Sequence, residues 1–167
     1  MIVIDNFLDD ELCDSILYRM INSHNFPWFY SPYSLADKNL KPLDNKSMFQ
    51  HNFFLNNIES NEYNLIFPLV NEVKLITDTK DIIRIKTNLY INTSKQETHS
   101  KHIDIENLDK FTTAIFYLTD TNGFTTIGDQ VIKDKKNRLV YFDGNTPHFG
   151  TTQNDKKERV LINFNLV

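Results

Sequence analysis

The sequence has one cysteine, Cys13, so no disulfide can close within the chain, which is compatible with a reducing compartment. It has no run of the roughly eighteen apolar residues that a membrane-spanning helix needs. The opening Met1-Ile2-Val3-Ile4-Asp5 carries neither the basic segment nor the apolar stretch of a secretory signal. A soluble, untargeted, cytoplasmic protein is the expectation. An excess of positive charge is missing as well: the net charge of -4 disfavours, without excluding, a nucleic-acid partner. Lys133, Lys135, Lys136 and Arg138 lie close together, but Asp134 interrupts them, and a solvated hairpin turn accounts for them. No repeat, low-complexity tract or linker breaks the chain. What is present, 167 residues with 40% hydrophobic content, suffices for one domain with an adequate core.

The first half reads as support. Ile2 to Phe7 reads as a short strand, and Asp9 then caps a helix that carries Leu12, Ile16, Leu17, Met20 and Ile21 on one side and ends near His24. From Asn25 to Ser47, Phe26, Trp28, Phe29, Tyr30 and Tyr33 are spread among Pro, Ser, Asp and Asn. This predicts an ordered, irregular segment that packs on the flank of the domain or forms a substrate-contacting wall. A second helix is expected from about Ser60 to Thr77, burying Leu65, Leu69, Val73 and Ile76.

From Asp81 the apolar period changes to two. Ile83, Ile85, Thr87, Leu89 and Ile91 share one face, expected to pack on the helices, while Arg84, Lys86, Asn88, Tyr90 and Asn92 share the other, expected to point inward. Short strands follow near 112–118, 124–127, 130–133, 138–142, 148–151 and 158–166, with turns at Asn122-Gly123, Gly128-Asp129 and Asp143-Gly144. The fold class read from this spacing is mainly β (α+β): a double-stranded β-helix, or cupin-like jelly roll, with buttressing N-terminal helices. Residues 1–167 form a single domain in this reading, with 1–80 as helical and loop support and 81–167 as the jelly-roll core.

The chemistry concentrates at His102-Ile103-Asp104 and His148. On a strand, His102 and Asp104 face one way and Ile103 the other, and His148 then arrives from a different strand. Two imidazoles and one carboxylate, with no cysteine nearby, form the facial triad associated with non-haem Fe(II), which leaves one side of the metal open. Glu106 and Asp109 are alternative carboxylates with poorer spacing. His99, three residues before His102, is either a second contact at the site or polar surface, and His24 and His51 are assigned to structure. Arg159 lies on an alternating last strand with Leu161, Asn163 and Asn165 on its face. Its planar fork suits a dicarboxylic acid, or it pairs with a neighbouring acid as an edge-strand arginine.

Taken together, these residues resemble the Fe(II)- and 2-oxoglutarate-dependent oxygenases, in particular the prolyl 4-hydroxylase-like branch, over about Ile82 to Val167. That family's His-x-Asp, distal His and later Arg are matched by His102, Asp104, His148 and Arg159. Asn88-Leu89-Tyr90, Ala114-Ile115-Phe116-Tyr117-Leu118, Asn122-Gly123-Phe124-Thr125 and Asn137 to Gly144 resemble further family segments, with Asn122 replacing a family glycine. The resemblance implies a metal held by His102, Asp104 and His148, and 2-oxoglutarate bound by Arg159, Tyr117, Tyr90 and Thr125. Fe(II) is then the metal, O2 the oxidant, ascorbate supportive, and the products succinate, CO2 and a hydroxylated small molecule or peptide. Asn165, six past Arg159, stands where the repair demethylases carry a second arginine, which disfavours that branch. Two other readings stay open: a metal-dependent cupin enzyme that uses no 2-oxoglutarate, and a non-catalytic jelly-roll binding module. Substrate and oligomeric state are not legible.

Overall fold

The computed structural model of the protein describes residues 1–32 and 47–167. In chain order the elements are β1 (Ile2–Asp5), α1 (Asp10–Asn22), β2 (Phe29–Ser31), β3 (Met48–Leu55), β4 (Ile58–Glu59), α2 (Tyr63–Thr77), β5 (Ile82–Ile91), β6 (Thr112–Tyr117), β7 (Phe124–Ile127), β8 (Gln130–Lys133), β9 (Arg138–Asp143), β10 (His148–Gly150) and β11 (Glu158–Leu166). The larger sheet runs β1-β9-β6-β11-β5-β3-β2, with β4 paired to β3, and the smaller runs β10-β7-β8. Every pairing is antiparallel, so this is the double-sheet jelly roll expected from the turn spacing.

Parity along the strands builds two cores. Ile85 and Leu89 of β5, Ala114 and Phe116 of β6, and Val160, Ile162, Phe164 and Leu166 of β11 join Cys13, Ile16 and Met20 of α1 and Ile66, Leu69, Val70 and Val73 of α2 in the layer under the helices. The alternate residues Met48, Tyr90, Ile115, Tyr117, Val140, Phe142 and Leu161 meet Ile127 and Ile132 of the smaller sheet. The period-two reading of β5 holds from Arg84 to Tyr90: Ile85 and Leu89 go to the helices and Arg84, Lys86, Asn88 and Tyr90 go inside. Ile91, by contrast, is 47% exposed and, past a register shift, Ile82 in place of Ile83 packs on the helix-side core.

Local chemistry explains the boundaries. The Asp9 carboxylate accepts from the backbone N–H of Glu11 and Leu12, capping α1. The helix ends at Asn22, two residues before the expected His24. α2 begins at Tyr63, and its buried stripe is Tyr63, Ile66, Leu69, Val70 and Val73. Leu69 and Val73 are buried as expected, but Ile76, at 44% exposed, lies about a quarter turn off that stripe. Asp78 closes the helix in the left-handed conformation, its N–H bonded back to the Leu75 carbonyl.

β2 and β3 depart from the sequence reading. β2 forms inside the segment expected to be irregular, and β3 was not anticipated, because Gln50-His51-Asn52 interrupts its apolar pattern. Those polar residues are intelligible in place: His51 bonds the Pro27 carbonyl and Ser60 Oγ on the helix side, Phe53 fills the outer core, and a bulge between Asn52 and Phe54 resets the register. The structural assignment of His51 is correct, and burial pushes its imidazole below the ordinary value. Phe26 and Trp28 pack on the helix-side core, as a flank would, whereas Phe29 and Tyr30 of β2 are exposed; Tyr33 and the rest of residues 33–46 lie outside the described residues. Three of the four basic residues are committed to N-terminal acids: Lys135 and Arg138 pair with Asp5 at 2.8 and 2.6 Å, and Lys136 pairs with Asp14.

Asn137 ties the two ends of this architecture together. It sits at φ 61° in the turn before β9, its side-chain oxygen accepts from Leu8 N, and its amide nitrogen donates to Leu8 O and Asp10 Oδ1, each at 2.8 Å. Removing that amide leaves buried backbone groups of Leu8 unpaired, at about 1–3 kcal/mol each. Asn137→Ala is therefore expected to lower unfolding stability by roughly 2–4 kcal/mol in a denaturant titration. A loss below about 1 kcal/mol would show that water replaces these bonds.

Candidate active site

The centre of the site is a backbone pairing. His102 and His148 form an isolated antiparallel bridge in which each N–H donates to the other's carbonyl at 2.9 Å. Residues so paired project their side chains to the same face, and the two imidazole centroids lie 4.6 Å apart. Asp104 was expected on one strand with His102, but only His102 makes the bridge and the chain bends at Asp104. The bend brings the carboxylate back over the rings: Asp104 oxygens lie 3.8 Å from His102 Nε2 and 3.8 Å from His148 Nε2. One ligand atom from each of the three falls within 4.8 Å of the others.

The surroundings of these groups suit a cation. His102 Nδ1 sits 3.0 Å from the Ser100 carbonyl and His148 Nδ1 sits 3.1 Å from the Thr146 carbonyl. Each Nδ1–H is thereby held by a main-chain acceptor, which leaves Nε2 with a lone pair directed at the shared space. Burial pushes His148 below its ordinary value and keeps it neutral. Burial opposes the charge on Asp104, but Arg84, His148, the Asn165 amide and His102 together outweigh it and hold the carboxyl below its usual range. Arg84 Nη2 lies 2.9 Å from Asp104 Oδ1, Asn165 Nδ2 donates to Oδ2 at 3.0 Å, and Arg84 Nε donates to Asn165 Oδ1. Glu106 and Asp109 take no part in this cluster.

A second polar cluster lies further along the inner face, at the β5 and β11 pairing of Tyr90 with Arg159. Arg159, 1% exposed, is not on an edge strand; β11 lies between β5 and β6. Its Nε and Nη2 donate to Asp134 at 2.6 and 2.9 Å, and Nη2 reaches Thr125 Oγ1 at 3.4 Å. Burial works against the guanidinium charge, and Asp134 more than restores it. Arg159 also lies 5.4 Å from the Tyr90 ring centre, and its Nη1 is left outside the pair. The Tyr117 hydroxyl beside Thr125 is buried without a hydrogen bond at normal geometry, and burial pushes its phenol up. An orphaned buried hydroxyl next to an unengaged guanidinium nitrogen fits a ligand carboxylate. Gly123 makes room for this cluster: a Cβ there would stand 2.7 Å from Arg159 Nε and 3.0 Å from Asp134 Oδ2.

Several of these residues were not legible as site residues. Asp134 was read as an interruption of a basic turn, but it is buried against Arg159, and nothing local in the sequence signals that partner. His99, for which polar surface was one reading, is 6% exposed, with its ring centre 5.1 Å from that of Tyr90. Arg84 was placed correctly on the inward face, though without its contact to Asp104. Asn165 was placed on the face of Arg159 and read as a missing arginine, without its contact to Asp104.

The jelly roll is a fold that this chain shares with 2-oxoglutarate and Fe(II) oxygenases, prolyl hydroxylases among them. Solved structures supply the particulars. A prolyl hydroxylase from Trichoplax adhaerens, in complex with a hypoxia inducible factor oxygen degradation domain peptide fragment, superposes with TM-score 0.71 at 15% identity, covering 99% of this chain and 82% of the other. A non-heme alpha ketoglutarate dependent epimerase from nogalamycin biosynthesis gives 0.69 at 12% identity over 99% and 75%. A Pseudomonas putida prolyl-4-hydroxylase gives 0.62 at 13% identity over 99% and 91%. At these identities the likeness is one of fold. No family model matches the sequence, and no curated protein matches it.

Two outcomes test the site. Asp134→Ala strands a buried guanidinium, so unfolding stability should fall by about 3–5 kcal/mol in a denaturant titration; a drop under about 1 kcal/mol would mean the pair is dispensable. His148 has a folded value below its ordinary 6.5, so the unfolded chain binds the extra proton. The stability of the metal-free protein from this group is full above that ordinary value and lost as pH falls below it. The melting temperature should therefore drop on acidification from pH ~7.5 to ~5.5, and drop less in His148→Gln; equal slopes would refute the assignment.

Proposed function

We propose that the protein is an Fe(II)- and 2-oxoglutarate-dependent dioxygenase, acting as a single domain whose named metal and cosubstrate residues all lie in 81–167. The observation that carries the reading is the His102–His148 bridge with Asp104 folded over it, which puts one ligand atom of each within 4.8 Å of the others, the donor set of a facial triad. His102, Asp104 and His148 would hold Fe(II); Arg159 Nη1, the Tyr117 hydroxyl, Tyr90 and Thr125 would hold the distal carboxylate of 2-oxoglutarate. Iron with 2-oxoglutarate and O2 supplies oxidation of an unactivated C–H bond, with release of succinate and CO2.

The chain's own residues set the conditions for that chemistry. The Ser100 and Thr146 carbonyls fix the tautomers of the two imidazoles. Arg84 and Asn165 fix the orientation of Asp104 and keep it ionised. Asp134 and Gly123 hold the Arg159 guanidinium in one place, and buried Tyr90 and Tyr117 exclude water around it. The fold supports a hydroxylase acting on a peptide or small molecule. Neighbours that include both prolyl hydroxylases and an epimerase leave the product on the substrate side unassigned.

One observation favours a second reading, a metal-dependent jelly-roll enzyme without 2-oxoglutarate: the fork of Arg159 is already filled by Asp134. Turnover separates the two. Purified protein with Fe(II), ascorbate and O2 should convert 2-oxoglutarate to succinate slowly without added substrate. His102→Ala and Asp104→Ala should abolish this, and Arg159→Ala should raise the 2-oxoglutarate requirement by roughly tenfold or more, as loss of a charged contact implies. Absence of both succinate and 2-oxoglutarate binding would sink the first reading.

A further inference from the structure

Among the described residues, Lys86 is the one inward-facing cation that neither cluster uses. It lies on β5 two residues beyond Arg84, opposite Asn163 of β11 and Asn52 of β3, and it is 7% exposed. It makes no hydrogen bond or ion pair with any described residue. Lysines are almost never buried without a partner, because removing an ammonium from water costs several kcal/mol that only a counter-charge restores. Burial pushes the Lys86 ammonium down to about 8, with Arg84 adding to the effect and Asp104 opposing it, so it stays charged at neutral pH. Asp104 is thus the carboxylate acting on Lys86, and that carboxylate is already held by Arg84 and Asn165.

The charge balance has a direction. Around Asp104 two cations, Arg84 and Lys86, face one carboxylate, before any bound metal contributes its own charge. The Arg159–Asp134 cluster is a neutral pair. The positive excess of the inner face therefore sits beside the metal ligands. Next along the same strands, the register places Gln50 of β3 beside Asn88 of β5, and the side-chain oxygens of both are buried without a donor. That stretch of floor presents an unpaired cation followed by two unpaired acceptors.

We propose that Lys86 receives an anionic group, a carboxylate or a phosphate, of the ligand bound at the metal centre, with Gln50 and Asn88 accepting from N–H or O–H groups of the same small polar ligand. The assignment deepens the oxygenase reading and rests on it for the use of the site. The anion comes either from the oxo acid itself or from the molecule that is oxidised. A charged ligand explains why a buried ammonium is retained where an apolar side chain would fold more readily.

The test compares wild type with Lys86→Met, both loaded with Mn(II) so that no turnover occurs, by calorimetric titration. At least a tenfold weaker 2-oxoglutarate affinity in the variant supports the proposal and makes the oxo acid the source. Equal 2-oxoglutarate affinity, with acetate or inorganic phosphate binding to wild type but not to the variant in saturating 2-oxoglutarate, supports it and makes the oxidised molecule the source. Identical behaviour toward all three anions overturns it. If neither protein binds 2-oxoglutarate, the oxygenase reading fails, while the phosphate and acetate titrations still judge Lys86. An unchanged or higher melting temperature for Lys86→Met shows that the fold is intact; Lys86→Gln replaces it if the methionine variant does not fold.

Discussion

Two main-chain hydrogen bonds between His102 and His148 carry more of this protein than any side-chain contact. They join a loop to the short β10 strand, and an antiparallel pair bonded in this way has no choice about where its side chains go. The imidazoles must lie side by side, and the bend after Ile103 then needs only to return one carboxylate to complete a ligand set. Smaller contacts refine the arrangement: carbonyls that fix the ring tautomers, and an arginine and an amide that fix the carboxylate. The main chain alone brings the three side chains together.

The inner face of the larger sheet extends that order into a graded surface. At one end, Arg84 and Asn165 attend to Asp104. At the other, Arg159 is neutralised by Asp134 and enclosed by Tyr90, Tyr117 and Thr125. Between them stand the amides of β3, β5 and β11 and the unpaired Lys86. The helices take no part; they cover the opposite face, where Ile85, Phe116, Ile162 and Phe164 form a dry core with α1 and α2. A strand's two-residue period separates these tasks, so a residue is assigned to stability or to chemistry by whether its position is odd or even.

That parity is also why so much was legible. In β5, Ile85 and Leu89 against Arg84, Lys86 and Tyr90 form a pattern that needs no partner strand to interpret, and the His-x-Asp with a distal histidine states its ligand chemistry directly. Asp9 as a helix cap is equally local. What escaped was non-local. β3 hid because its inward residues are polar for a pocket that other strands complete. Asp134 hid because its partner lies across the sheets, and a buried aspartate among lysines looks like a surface one. His99 hid because its ring meets Tyr90, which lies on a strand that the local sequence around His99 does not reveal. In each case the property that matters is supplied by a residue far away in sequence.

The strand order has a consequence for how the molecule comes into being. β5 and β6 are neighbours of β11 and not of each other, so the middle of the larger sheet stays open until the segment 158–166 is inserted between them. That segment also carries Arg159 and Asn165. On a ribosome it is the last of these strands to emerge, after both flanking strands have waited with exposed edges. Closure of the sheet and completion of the polar inner face are therefore one event, and a nascent chain halted before Glu158 has neither.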